Sequence, residues 1–344
     1  MFSKITVLLV AGFLGWAYKA TEPSPPKICG SPGGPPVTAL RIKLRDGRHL
    51  AYVERGVAKE VAKYKIITVH GICTSKDLVM PASQELMEDL GIYMLAFDRA
   101  GYGESDPHPK RSVKSEVLDL QELADQLELG QKFYVIGTSL GGCFTWGCLK
   151  YIPHRIAGAA LLSPVVNHWW PSLPSSLSKE VFRRQHLRNQ WNIRLAHYVP
   201  RFYSWFIQRF YARSGVVLMD PATFSAKDKE ILKQMSRTKW KGQDKVMQQG
   251  EFESLHRDIL VGFGDWGFDP LDLNNPFEHN ESSVHIWQGD EDRMVSVILQ
   301  RYVSERLPWI KYHEVPRAGH ILAHTDNLFD VILRELLIGN KEPS

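Results

Sequence analysis

A serine between two glycines, Gly137-Thr138-Ser139-Leu140-Gly141, is the group in this chain best placed to do chemistry. It ends an apolar run, Lys132-Phe133-Tyr134-Val135-Ile136, and opens a helix-like one, Gly142-Cys143-Phe144-Thr145-Trp146-Gly147. A tight strand-to-helix turn of this kind pushes the hydroxyl into the open. Glycines two residues to either side leave room for the neighbouring backbones. The pentapeptide alone arises by chance in about one chain in ten of this length; its flanks and its downstream partners give it weight. Serine is a poor nucleophile unless a base takes its proton as it attacks. His320 is the candidate base, in the loop Pro316-Arg317-Ala318-Gly319-His320 that follows a strand-like run at residues 310–315. The acid that would orient the imidazole is Asp292 or its rival Asp290, in the loop after Val284-His285-Ile286-Trp287. His70, His285 and His313 lie in or beside strand-like runs and suit packing roles.

The order serine, acid, histidine and several local patterns make the chain resemble the α/β-hydrolase superfamily. The resemblance covers about residues 37–340 apart from a middle insertion. Gly289-x-x-Asp292-x-x-Val295 matches the family's acid loop and implies Asp292 as the acid. Gly319-His320 matches its terminal pair and implies His320 as the base. Val69-His70-Gly71-Ile72 resembles the family's oxyanion turn. The resemblance implies that Ile72 supplies one backbone N–H, and Leu140, just after the nucleophile, the other. Asp98-Arg99-Ala100-Gly101-Tyr102-Gly103-Glu104-Ser105 resembles a glycine turn of the family, with Asp98 organising the turn rather than reacting. Within the superfamily the chain looks like an uncharacterised plant group with a membrane-directed N-terminus.

The positioning elements follow from hydropathy. Residues 37–43 and 49–54 alternate around the Asp46-Gly47 turn as a hairpin. Residues 65–70, 92–98, 132–136, 156–163, 284–288 and 310–315 are short apolar runs suited to buried parallel strands. Helices are expected at residues 75–90, 112–129, 296–307 and 322–339. The expected fold is α/β: a mostly parallel eight-stranded sheet with helices on both faces and a helical cap inserted after the sixth strand. Residues 37–163 and 284–344 form the core, and residues 164–283 the cap. Helices are expected within the cap at 176–192, 193–214, 225–237 and 242–263. Its first half is crowded with Trp169, Trp170, Trp191, Phe202, Tyr203, Trp205, Phe206, Phe210 and Tyr211, a few of which should face the serine.

A formal net charge of +4 over 344 residues offers no basic stripe for nucleic acid. Residues 166–275 hold 16 basic and 11 acidic side chains. That surplus reads as a solvated helical face or as attraction to an anionic substrate or membrane. Four cysteines in a chain this long make no disulfide framework, and no metal-ligand spacing occurs. No cofactor is expected. Residues 5–18 carry no charge between Lys4 and Lys19. The run is shorter than the roughly 20 residues of a bilayer span. Residues 1–20 read as an uncleaved anchor, as a cleaved signal, with secretion if residues 1–17 are removed, or as neither. Membrane association in the endomembrane or secretory pathway is the expectation. Residues 21–36 read as a stiff Pro-rich tether. Asn280-Glu281-Ser282 matches a glycosylation sequon.

Together these imply a serine esterase acting on a hydrophobic small-molecule or lipid ester. A hydroxynitrile-lyase-type or acyltransferase reaction, and a slow ligand receptor, stay open as alternatives. The branched Ile72 beside the oxyanion leads us to expect tertiary alcohol esters to be refused.

Overall fold

The short apolar runs become the central strands because both faces of each are covered. The computed structural model describes residues 4–211, 223–237, 242–277 and 282–339. Eight strands form one sheet: β1 (Leu40–Lys43), β2 (His49–Gly56), β3 (Tyr64–Val69), β4 (Ile92–Phe97), β5 (Phe133–Thr138), β6 (Ile156–Leu162), β7 (Val284–Gly289) and β8 (Ile310–Val315). Their order is β1-β2-β4-β3-β5-β6-β7-β8, with β2 antiparallel to both β1 and β4 and the remaining pairings parallel. The chain reverses its direction of travel across the sheet between β3 and β5, and such switch points open a crevice at the strands' C-terminal ends. Val69 pairs with Gly137 there, so the turn after β3 lies beside the turn after β5.

One face is covered by α3 (Val113–Gln126), α4 (Gly141–Tyr151) and α10 (Val297–Arg306), with Phe97, Phe133, Phe144 and Trp146 packed between. The other is covered by α2 (Gln84–Leu90) and α11 (Leu328–Leu337) over Ile66, Ile136 and Leu162. Several expected elements are shorter than their hydropathy implied. β1 starts at Leu40 because the N–H groups of Thr38 and Ala39 bond the Glu104 carboxylate instead of a strand. The helix expected from residue 75 begins only at Gln84, after Pro81, where Ser83 Oγ accepts from Leu86 N–H. The helix expected at 322–339 is a 3₁₀ turn at Leu322–His324 followed by α11, with Asn327 left-handed between them.

The cap holds α5 (Ser175–Arg184), α6 (Leu187–Tyr198), α7 (Pro200–Tyr211), α8 (Ala226–Arg237) and α9 (Arg257–Phe263). Pro200 can begin a helix but not continue one, which separates α6 from α7. The expected helix at 242–263 is broken by left-handed Gly242 and by Gly250, and its end is a π turn, Phe252–His256, leading into α9. Ile193, Tyr203, Ile207 and Ile259 form the cap's own core. The expectation that some of the crowded aromatics face the serine is not met by those whose side chains are described. None of Trp169, Trp170, Trp191, Phe202, Tyr203, Trp205 or Phe206 lines the cavities at Ser139. Trp170 instead packs edge-on against Trp146 and Trp266, while Trp191 and Phe202 face solvent. The side chains of Phe210 and Tyr211, the expected helix end at Ser214 and the sequon's Asn280 and Glu281 lie outside the described residues.

At the N-terminus α1 (Lys4–Ala20) is a 17-residue helix. Among the described residues no helix is long and apolar enough to cross a membrane. The Pro-rich stretch is not a free tether. Cys29 is buried, its N–H bonds Gln249 Oε1 at 3.2 Å, and Lys27 N–H bonds the Gln249 carbonyl at 3.0 Å. The prolines hold these residues extended, so they dock along the cap with little ordering cost.

Candidate active site

Between β5 and α4 the chain turns within two residues, and Ser139 takes the strained left-handed conformation, φ +54°. The strain is held by three backbone bonds. Ser139 N–H donates to Leu162 O at 2.8 Å, and Ser139 O accepts from Gly142 at 3.0 Å and Val165 at 3.1 Å. The flanking glycines are required by contact: a Cβ on Gly137 would overlap Thr145 Oγ1, and one on Gly141 would overlap Val69 O.

The other two candidates reach this serine. His320 Nε2 lies 2.8 Å from Ser139 Oγ, and His320 Nδ1 lies 2.9 Å from Asp292 Oδ2. Asp292 is buried and held from three sides. Its Oδ1 accepts from the N–H groups of Met294 and Val295, and its Oδ2 accepts from Gln288 Nε2. Asp290, the rival, is exposed at the loop surface. A carboxylate at Nδ1 keeps the proton there and leaves Nε2 as acceptor for the serine hydroxyl. Burial alone would lower the His320 pKa. The charge and hydrogen bond of Asp292, and the charge of Asp228, outweigh it and hold the pKa above 6.5.

Ile72 and Leu140 flank the hydroxyl. Among the described residues neither backbone N–H has a protein acceptor. Leu140 N–H also stands at the N-terminus of α4, where the helix dipole favours negative charge. Gly71 lets the turn come close: a Cβ there would lie 3.3 Å from Ser139 Cβ.

Two buried carboxylates of the cap, missed in the sequence reading, hold this machinery. Arg99 bonds Asp258 of α9 through both terminal nitrogens, and Arg111 and Tyr102 bond the same carboxylate. Arg99 also donates to the carbonyls of His70 and Gly71, both at 3.0 Å. The turn after β3 is thus tied to the cap. His70 accepts from Arg99 N–H, and burial holds its pKa well below normal, so it is a neutral structural ring. Asp98 organises its glycine turn, accepting from Lys76 N–H and Glu104 N–H. The second carboxylate is Asp228 of α8. It accepts from His320 N–H at 3.0 Å and Ile321 N–H at 2.8 Å. A Ser-x-x-Asp spacing at a helix start, Ser225 to Asp228, was the available signal, but it marks only the cap of a helix.

The serine opens onto two cavities, of about 70 and 150 Å³. Among the described residues neither wall carries an unpaired cation. Lys76, bordering the larger, is paired with Asp77 and Asp98. The basic Arg183, Arg184 and Arg188 of the cap face solvent. Among the described residues no group of His, Cys, Asp or Glu is arranged to hold a metal ion.

Residues 64–326 match the family described as alpha/beta hydrolase fold. The chain belongs to the α/β-hydrolase fold family. Solved α/β-hydrolases with similar folds include carboxylesterases of the Thaumarchaeon Nitrososphaera gargenis, at 14% identity over 88% of this chain and 99% of that one, TM-score 0.60. A thermophilic esterase from Thermogutta terrifontis is similar at 16% identity over 87% and 97%, TM-score 0.52. An enzyme described as degrading N-acyl homoserine lactones is similar at 16% identity over 86% and 99%, TM-score 0.53. At these identities the shared property of this α/β-hydrolase and its neighbours is the fold. No curated protein matches the chain. The likeness to a plant group with a membrane-directed N-terminus draws no support from these comparisons.

Proposed function

We propose that this α/β-hydrolase cleaves carboxylic esters of hydrophobic small molecules through an acyl-enzyme on Ser139. The observation that carries the reading is the continuous chain Asp292–His320–Ser139, with heavy-atom distances of 2.9 and 2.8 Å, opening onto mostly apolar cavities. In this reading His320 Nε2 takes the serine proton as Oγ attacks the carbonyl. The N–H groups of Ile72 and Leu140 receive the oxyanion. The imidazolium, stabilised by Asp292, then protonates the leaving alkoxide. Water activated by His320 releases the acid and restores the serine. A fluorophosphonate should label Ser139, and Ser139→Ala should abolish labelling and turnover of activated esters. Wild-type turnover in a folded Ser139→Ala protein would sink the reading.

We propose further that α1 brings the domain to a bilayer surface without spanning it. Leu8, Leu9, Phe13 and Trp16 all stand exposed on this helix, and aromatic rings suit the headgroup region. Sedimentation of the full chain with lipid vesicles, against a chain lacking residues 1–20, tests it. Equal partitioning of the two would refute the role of α1.

A further inference from the structure

Ser139, Ile72, Met294 and His320 line both cavities, so the serine stands at the junction of two chambers. The larger chamber, about 150 Å³, has apolar walls that include Leu78, Met80, Phe224, Leu232, Met235 and Leu322. An apolar void of that size takes a benzene-sized guest. The smaller chamber, about 70 Å³, has apolar walls that include Val165, Val181, Ile193 and Phe263. It also carries three uncharged polar side chains of the cap: His168, before α5, Gln185, between α5 and α6, and Asn189, at the start of α6. Burial pushes the His168 pKa down to about 4, so that ring is neutral. Gln185 Nε2 lies 3.0 Å from His168 Nε2, and these two satisfy each other. Asn189 is different. Its Oδ1 is buried and has no hydrogen-bond partner among the described residues. In the larger chamber both nitrogens of the His324 ring are likewise buried without a hydrogen-bond partner, beside the Val79 backbone. A buried carbonyl oxygen without a donor is rare and costly in a folded protein. On the wall of a reactive cavity, a ligand donor is what it lacks.

We propose that Asn189 determines specificity, and that the substrate is a small ester with two unlike arms. One arm is compact and apolar, about the size of a benzene ring, and fills the larger chamber. The other is short and carries a hydroxyl or amide N–H that donates to Asn189 Oδ1. The joining of both arms at one ester carbonyl rests on the hydrolase reading above. The donor preference is a binding property and stands apart from turnover.

The test uses the full chain carrying Ser139→Ala and calorimetric binding of two matched ester sets. The first is phenyl 3-hydroxypropanoate, phenyl butanoate and phenyl 3-methoxypropanoate. The second reverses the ester: 2-hydroxyethyl, propyl and 2-methoxyethyl phenylacetate. In at least one set the hydroxyl ester should bind about tenfold more tightly than its methyl isostere, the worth of one buried hydrogen bond. The methoxy ester, which accepts but cannot donate, should gain nothing. Adding Asn189→Leu should erase the preference, and adding Asn189→Asp, which keeps an acceptor, should retain it. Circular dichroism checks that each variant is folded. Equal binding of hydroxyl and methyl esters in both sets overturns the proposal. So does a preference that survives Asn189→Leu, or no detectable binding of either hydroxyl ester. The same esters offered to the unsubstituted protein separate the two readings. Hydrolysis without a hydroxyl preference removes the Asn189 assignment and leaves the hydrolase. A binding preference without any hydrolysis does the reverse.

Discussion

The carboxylate of Asp228, on the cap, accepts the backbone N–H of His320, on the core, at 3.0 Å. The same carboxylate accepts Ile321 N–H and closes a reciprocal pair with Ser225 at the start of α8. Both Asp228 and Ser225 are fully buried. A Cβ on Gly319 would fall onto this carboxylate, which explains the glycine before the histidine. The cap therefore sets the position of the base and adds a negative charge beside it.

That charge has a measurable consequence. In the proposed mechanism the base is the neutral imidazole, so kcat/KM should rise as pH climbs through the His320 pKa, which is held above the ordinary imidazole value. Removing the charge disfavours the imidazolium. Asp228→Asn should move the acid limb of the kcat/KM profile to lower pH as well as lowering kcat. A purely structural carboxylate would lower activity and leave the limb where it is.

The two acid-loop aspartates should separate cleanly. Asp292→Asn should lower kcat on the order of 10⁴-fold, the loss seen when a triad imidazole takes the wrong tautomer. Asp290→Asn, at the exposed end of the loop, should change kcat by less than about twofold, since surface substitutions rarely matter. Steady-state rates on one activated ester decide it, and reversed effects would reassign the acid.

Asp258→Ala should destabilise the protein by about 3–5 kcal/mol, because it leaves the buried Arg99 guanidinium without a carboxylate and Arg111 with Glu116 alone. Arg99 also anchors the carbonyls of His70 and Gly71, so the surviving folded fraction should lose oxyanion stabilisation. Denaturant titration, with kcat measured well below the midpoint, tests both halves. An unchanged midpoint would show that the network carries no net stability.

Truncation should distinguish α1 from the stretch after it. Removing residues 1–20 should leave the melting temperature and the activity of the domain unchanged. Removing residues 1–36 should lower the melting temperature, because Cys29 and its bonds to Gln249 are lost from the cap. Identical melting curves for the two forms would mean that the docked stretch contributes nothing.

The parts legible in the sequence were those written in local spacing. The G-x-S-x-G turn, the runs that became β3 to β8 and the hairpin around Gly47 each depend on residues a few positions apart. Hydropathy and steric limits act at that range. The element ends were less legible, because Pro81, Pro200 and the Glu104 carboxylate stop or divert elements whose hydropathy would carry on. Tertiary structure alone decided what depends on distance through space. It brought Asp292, the acid to which the family resemblance pointed, within 2.9 Å of His320, 28 positions along the chain. It brought Asp228 from 92 positions away to the base, and Asp258 from 159 positions away to Arg99. It turned the cap's tryptophans outward or into the core and left aliphatic walls and Asn189 at the serine. A carboxylate in a sequence carries no mark of its burial or its partner. Those are set by packing, and packing is what fixes whether it orients a base, ties down a turn or faces water.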